Sequence, residues 1–182
     1  MTSVSAKWFG LRVVVSLFFV QTALAGTYYV DYATGSDANS GNSKAAPWKH
    51  APQMKGFSGS YSHSAGDRFI FKGGVIWPVT CFQMAISAGG SADDNRDYYG
   101  VDPTWFAGGA FARPVFDFQH IALGSGYNSG AGLLVTGSNL TLDGLEMANH
   151  RGWTGNAGWG SSTVNIQGAN ANITVTNCYI HD

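Results

Sequence analysis

Apolar and polar residues alternate towards the end of the chain, and they do so twice. Leu133-Leu-Val-Thr-Gly-Ser-Asn-Leu-Thr-Leu-Asp-Gly-Leu-Glu-Met147 is followed by Val164-Asn-Ile-Gln-Gly-Ala-Asn-Ala-Asn-Ile-Thr-Val-Thr-Asn-Cys-Tyr-Ile180. Leu140, Leu142, Leu145 and Met147 align with Ile173, Val175, Cys178 and Ile180. A period of two marks strands with one buried face. A repeat of roughly 30 residues built from strands alone predicts a solenoid whose copies stack as coils. Stacking at about 4.8 Å places Thr141 over Thr174 and Asp143 over Thr176 on the outside. Cys178 takes the inward position of Leu145. Asn177 stands at a turn and is expected to bond the backbone of neighbouring coils through its amide.

The earlier chain divides by pattern. Residues 1–25 carry Lys7 and Arg12, an apolar core over Val13 to Val20, and Ala23-Leu-Ala25 before Gly26, the form of a cleavable secretory signal. Arg12 and Gln21 leave an apolar run too short to cross a bilayer core of about 30 Å. The expectation is a secreted protein, extracellular or periplasmic, with no membrane attachment after cleavage. Residues 26–65 read as a leader strand at Thr27 to Asp31, a Gly/Ser/Asp loop at Gly35 to Ser43, and a capping segment over Pro47 to Met54. That segment is predicted as one or two helical turns limited by Pro52, with Trp48 and Met54 packed onto the first coil.

Residues 66–182 are the coils. Arg68 to Lys72, Val75 to Trp77, Tyr98 to Val101 and Pro114 to Phe118 supply further strands. Ser87 to Asp97 reads as a polar surface excursion. The chain ends at His181-Asp182, inside or just after a strand, which predicts a solenoid truncated at its C-terminus.

Composition narrows the class. Twenty-five glycines, 12% charged residues and a net charge of −1 in 182 residues describe a turn-rich, mainly β protein. A near-neutral chain without a basic run has no electrostatic footprint for nucleic acid. Two cysteines, Cys81 and Cys178, permit a disulfide in an exported chain, but the inward position of Cys178 favours buried, unpaired thiols. Asn139-Leu-Thr141 and Asn172-Ile-Thr174 match the glycosylation pattern, yet they fall at one turn of successive coils, where a turn-forming Asn is the simpler explanation.

Three stretches carry a family resemblance. "NITVTNCYIHD", the leader "YYVDYATGSDANSGNSKAAPWKH" with "AGDRFIFKGG", and "YYGVDPTWF" with "ARPVFDF" resemble the right-handed parallel β-helix proteins of the pectate-lyase-like superfamily. The resemblance implies an all-β, single-stranded right-handed parallel β-helix, an N-terminal cap plus about three coils, incomplete at the C-terminus. It implies the N-terminal portion of a secreted carbohydrate-active protein, a polysaccharide lyase or glycoside hydrolase acting on an acidic polysaccharide. Such a portion is expected to be inactive alone, its catalytic rungs lying further on. The alternative is a non-catalytic extracellular scaffold, adhesin-like or sugar-binding.

In that superfamily the chemistry sits on the outer face of a parallel sheet, where stacked side chains line a groove. A lyase needs a base and a cation or calcium to hold enolate-like charge; a hydrolase needs two carboxyls. Asp143 and Glu146 are the acidic candidates, with His150 and Arg151 after them, although Thr176 and Tyr179 in the next coil extend no carboxylate column. Trp153 and Trp159 are candidates for stacking on sugar rings. Asp31, Asp37 and Asn39 offer oxygens to calcium, or serve a plain Asx-turn loop, since they lack the spacing of a calcium-binding helix-loop-helix. Arg113, Asp117, His120 and the His181-Asp182 pair are weaker candidates. No phosphate loop, nucleophile elbow or zinc-spaced cluster is present.

Overall fold

The computed structural model describes residues 24–123, 130–151, 162–168 and 171–182. Those residues form twelve strands and one short 3-10 turn at Val79–Cys81. The strands are β1 Thr27–Val30, β2 Arg68–Gly73, β3 Ile76–Trp77, β4 Met84–Ile86, β5 Asp97–Phe106 and β6 Val115–Asp117. They continue as β7 Leu133–Val135, β8 Leu140–Asp143, β9 Glu146–Ala148, β10 Val164–Ile166, β11 Ile173–Thr176 and β12 Tyr179–His181.

Every pairing between these strands is parallel, in three sheets ordered β1-β2-β5-β8-β11, β3-β6-β9-β12 and β4-β7-β10. The chain therefore visits each sheet once per turn: β2-β3-β4, β5-β6-β7, β8-β9-β10, then β11-β12. This is a right-handed parallel β-helix of three coils and part of a fourth, preceded by β1 and its cap. The predicted stacking of Thr141 with Thr174 and of Asp143 with Thr176 is the observed register.

Alternation fills the interior with like over like. Phe69, Tyr99 and Leu142 form one inward column, Trp77, Phe116 and Met147 another, and Met84 with Leu133 a third. The Phe69 and Tyr99 rings stack at 4.9 Å, and Trp77 meets Phe116 edge-on at 5.8 Å. Each such aromatic buries about 150–250 Å². Both cysteines are free; Cys81 is buried and Cys178 packs against the core, as the alternation implied.

The turns repeat as faithfully as the strands. Gly74, Gly144 and Asn177 occupy the same place, two residues before the register shared by Ile76, Glu146 and Tyr179, and have φ of 70°, 70° and 50°. A left-handed residue thus recurs between the first two sheets at three of four places, Arg113 filling the fourth without one, and Gly or Asn adopts it at low cost. At the entry to the first sheet, Asn139 and Asn172 have φ of 53° and 57°. The Asn172 amide donates to Asn139 Oδ1 at 2.8 Å, and the Asn139 amide donates to the Gly90 carbonyl at 3.0 Å. Turn formation thus accounts for both glycosylation-like motifs. The inter-coil backbone bond expected of Asn177 belongs to Asn139; Asn177 turns its amide outward.

Two local expectations are corrected. Residues 47–54 form turns and no helix, because Trp48 bridges Val30 in extended conformation and the Lys49 and His50 amides are claimed by Asp37 Oδ1 at 3.1 and 2.9 Å. Trp48, expected on the first coil, stacks on Tyr28 of β1 at 4.8 Å, and it is buried with Met54 in the core cluster that also holds Phe69 and Phe71. Asp97 closes no surface excursion. It opens β5 at the inward register of Leu140 and is fully buried.

At the other end of the stack the inward positions meet water. Val175, Ile180 and Ile166 are 43, 50 and 47% exposed, whereas their register partners Leu142, Met147 and Val135 are fully buried.

Candidate functional site

The outer face of the five-stranded sheet carries one continuous polar line. Arg68 and Tyr98 are register partners, and the Arg68 guanidinium lies over the Tyr98 ring, 4.2 Å from its centroid. Such a contact adds about 0.5–2 kcal/mol and holds the ring flat to the sheet. The Tyr98 hydroxyl donates to Asp143 Oδ2 at 2.9 Å, and the Asn177 amide donates to Asp143 Oδ1 at 2.9 Å. Arg113 Nε then donates to the Asn177 carbonyl at 3.1 Å. Five residues, from the three coils, the partial fourth and the loop before β6, are joined in this way. Burial, and then the hydrogen bond to Asp143, push the Tyr98 phenol up to about 12, so it stays a neutral donor.

Asp143 and Glu146 fall on either side of the left-handed Gly144, one on the first sheet and one on the second. Each carboxylate has its own partners. Glu146 Oε1 meets His181 Nε2 at 3.1 Å, and the His181 ring stacks on Tyr179 at 4.3 Å. The hydrogen bond to Glu146 raises the His181 pKa. His181 therefore pairs with Glu146 across one coil, and with Asp182 it contacts only the backbone carbonyl.

The remaining candidates lie apart from this line. His150 Nε2 meets the Gly130 carbonyl at 3.0 Å and its ring packs edge-on against Phe118 at 5.2 Å. Arg151 is exposed. Asp117 accepts the Gln119 N–H at 2.9 Å and the Asn149 amide at 2.8 Å, a turn-closing role, and the His120 N–H bonds the Asn149 carbonyl in the same turn. Trp153 and Trp159 lie outside the described residues.

The calcium candidates do not converge. Asp31 accepts from the Ala33 and Thr34 amides, the Thr34 hydroxyl and Lys72 Nζ; Asp37 accepts from the Lys49, His50 and Ser58 amides and pairs with the His50 ring. The Asn39 amide donates to the Pro47 carbonyl. Carboxylate oxygens aimed at N–H donors and an ammonium do not fit a cation, and no cluster of three or more metal-ligating side chains occurs among the described residues. The Asx-turn reading fits this loop.

Sequence reasoning overlooked Tyr98, Arg68 and Asn177 as members of the outer line. Tyr98 was visible only as a strand residue, and its partner Asp143 lies 45 positions away. The signal available was the outward parity of both in one repeat register. A second cluster also escaped notice: Asp67 and Asp97, both fully buried, stand in adjacent coils beside Tyr61 and His63.

No family model matches the chain, and no curated protein matches it. Solved structures do. The selenomethionine form of the GH136 lacto-N-biosidase from Eubacterium ramulus superposes with a TM-score of 0.64 at 20% identity, over 86% of this chain and 27% of that one. Its native form gives 0.55 at 19% identity over the same shares. A rhamnogalacturonan lyase gives 0.52 at 21% identity, over 86% of this chain and 38% of its own. At these identities the likeness shows the fold alone, the parallel β-helix. The chain has that fold, and it spans between about a quarter and two fifths of the length of these neighbours.

Proposed function

We propose that this chain is the capped N-terminal part of an exported carbohydrate-active β-helix protein, and that it contributes binding surface for an acidic polysaccharide. The observation that carries the reading is the outer line Arg68–Tyr98–Asp143–Asn177–Arg113. It sets two guanidinium groups, one of them stacked on the Tyr98 ring, along a row of polar side chains that crosses several stacked coils, a surface on which a polymer with carboxylate groups can lie along its length. Both Asp143 oxygens are occupied by neutral donors, and neither Arg68 nor Arg113 forms an ion pair among the described residues, so the guanidinium charges are available to a ligand. The likeness in fold to a glycoside hydrolase and a polysaccharide lyase supports the class. Export rests on the leader over residues 1–25.

The same geometry favours binding over cleavage within these coils. Asp143 and Glu146 each have a fixed partner and face different sheets, and the next coil offers Thr176 and Tyr179. On this proposal any catalysis, lyase or hydrolase, belongs to further coils, and the coils described serve as binding scaffold. Affinity electrophoresis of the purified chain through gels containing polygalacturonate or a neutral galactan tests this. Retardation by the acidic polymer, weakened about tenfold by R68A or Y98A, with no new reducing ends or unsaturated products, is the expected result. Equal retardation of the variants would remove the outer line from the binding surface.

A further inference from the structure

A cavity of about 270 Å³ opens between the cap and the start of the third sheet, walled by Pro52, Gln53, Tyr61, His63 and Ser87. It lies off the outer line, since the Gln53 carbonyl accepts the Ala85 N–H at 3.0 Å and so extends the third sheet, at β4. Drug-sized ligands fill cavities of roughly 300–1,000 Å³. This one holds a single ring and not a polymer segment.

Two wall residues are fixed from behind by buried carboxylates. The Tyr61 hydroxyl donates to Asp67 Oδ2 at 2.7 Å. His63 Nε2 meets Asp97 Oδ2 at 2.9 Å, while Asp97 Oδ1 accepts the Gly66 N–H at 2.8 Å. An acceptor-only carboxylate places the imidazole proton on Nε2 and leaves Nδ1 as an acceptor. The Nδ1 atom and the Ser87 hydroxyl have no hydrogen-bond partner among the described residues. Solenoid geometry does not demand carboxylates at this register: the next coil puts Leu140, also fully buried, in line with Asp97 and closes the same turn. Burying two carboxylates one coil apart is costly unless each is fully bonded. Here they hold Tyr61 and His63 in place as well as capping turn amides.

We propose that this cavity is a second binding site, taking one neutral, hydroxyl-rich sugar ring, with His63 Nδ1 and the Ser87 hydroxyl as its polar contacts and Tyr61 and Pro52 as its apolar walls. The ligand is neutral because no lysine or arginine lines the cavity and Asp67 and Asp97 stand behind it; a uronate carboxylate would be repelled. The proposal rests on the carbohydrate reading only for the class of ligand. The polymer surface and this cavity use different residues.

The test is a nuclear magnetic resonance titration of the full chain with galactose, glucose and N-acetylglucosamine, and with galacturonate. Expected are saturating shifts at the His63 imidazole and Ser87 amide with at least one neutral sugar, at an affinity on the order of 1–10 mM, and about tenfold weaker response to galacturonate. Ser87 is exposed, so S87V is compatible with the fold and should weaken the response about tenfold; H63Q should do the same. Y98A should leave it unchanged. Saturation here without retardation on acidic polymer would sink the proposed function and keep this site. Absence of any saturating shift at His63, or shifts that S87V and H63Q leave intact, overturns the site whatever the polymer does.

Discussion

Lys72 Nζ stands 2.7 Å from a carboxylate oxygen of Asp31, a residue only 1% exposed in the cap against the first sheet. Burial alone would raise the Asp31 pKa; the hydrogen bonds from Lys72 and Thr34, the Lys72 charge and the Ala33 amide outweigh it and leave the value below the ordinary one. A folded value below the unfolded one stabilises the protein above about pH 4 and loses that contribution as pH falls through the folded value. In urea unfolding, K72M should cost about 3 kcal/mol at pH 7, because a buried charge loses its counter-ion. Its deficit should shrink towards acid, where protonation of Asp31 relieves the unpaired charge. A deficit independent of pH would show that Lys72 acts through packing alone.

Asn177 holds the left-handed turn that glycine holds at positions 74 and 144. A β-branched side chain there pays the full steric penalty of about 1–2 kcal/mol and also loses the bond to Asp143. N177V should therefore lower the unfolding free energy by about 2 kcal/mol. N177G, which removes the strain but also the bond, should stay within about 1 kcal/mol of the parent. Equal losses in the two variants would assign the role of Asn177 to its side-chain bond and not to its backbone.

That column shows what the sequence could reveal. Gly144 and Asn177 align in the repeat, so the turn, the strand parity and the stacking of Thr141 on Thr174 follow from two copies of one pattern. The second coil is harder, because β5 runs to Phe106 with an irregular register against β2, and residues 107–114 separate it from β6. Asp97 was misplaced for a different reason. Its neighbours Asp93, Asp94, Asn95 and Arg96 are polar and exposed or nearly so, and nothing local distinguishes the one carboxylate whose parity turns it inward. The outer line and the His63 cavity depend on contacts between coils, and those contacts follow from register, which a single irregular repeat does not fix.

The thiols offer a direct check of parity. Burial pushes the Cys81 thiol up to about 11, and burial likewise raises Cys178, which is only half-buried. Thiolate is the reactive form, so both should resist a disulfide-exchange reagent in the folded protein and react fully in denaturant. Cys178 should react first, through opening of the last coil. Rapid labelling of Cys81 without denaturant would contradict its inward position, and a mass two hydrogens short under non-reducing conditions would reveal a disulfide.

The exposed end of the stack makes a prediction in which one register position is tested twice. Leu142 and Val175 are partners in adjacent coils and point the same way, yet the first is fully buried and the second is 43% exposed. L142A removes a core side chain between two coils and should cost about 3 kcal/mol in this chain. V175A removes one that has a coil on a single side, and should cost less than about 1 kcal/mol. If a form of the protein with further coils is made, the same V175A substitution acquires a second neighbour, and its cost should rise to about 2 kcal/mol or more. Denaturant unfolding of the five proteins, two parents and three variants, reads all these values. A large V175A cost in the 182-residue chain would mean that its end face is already covered, by a second copy of the chain, and sedimentation should then show a dimer that V175A weakens.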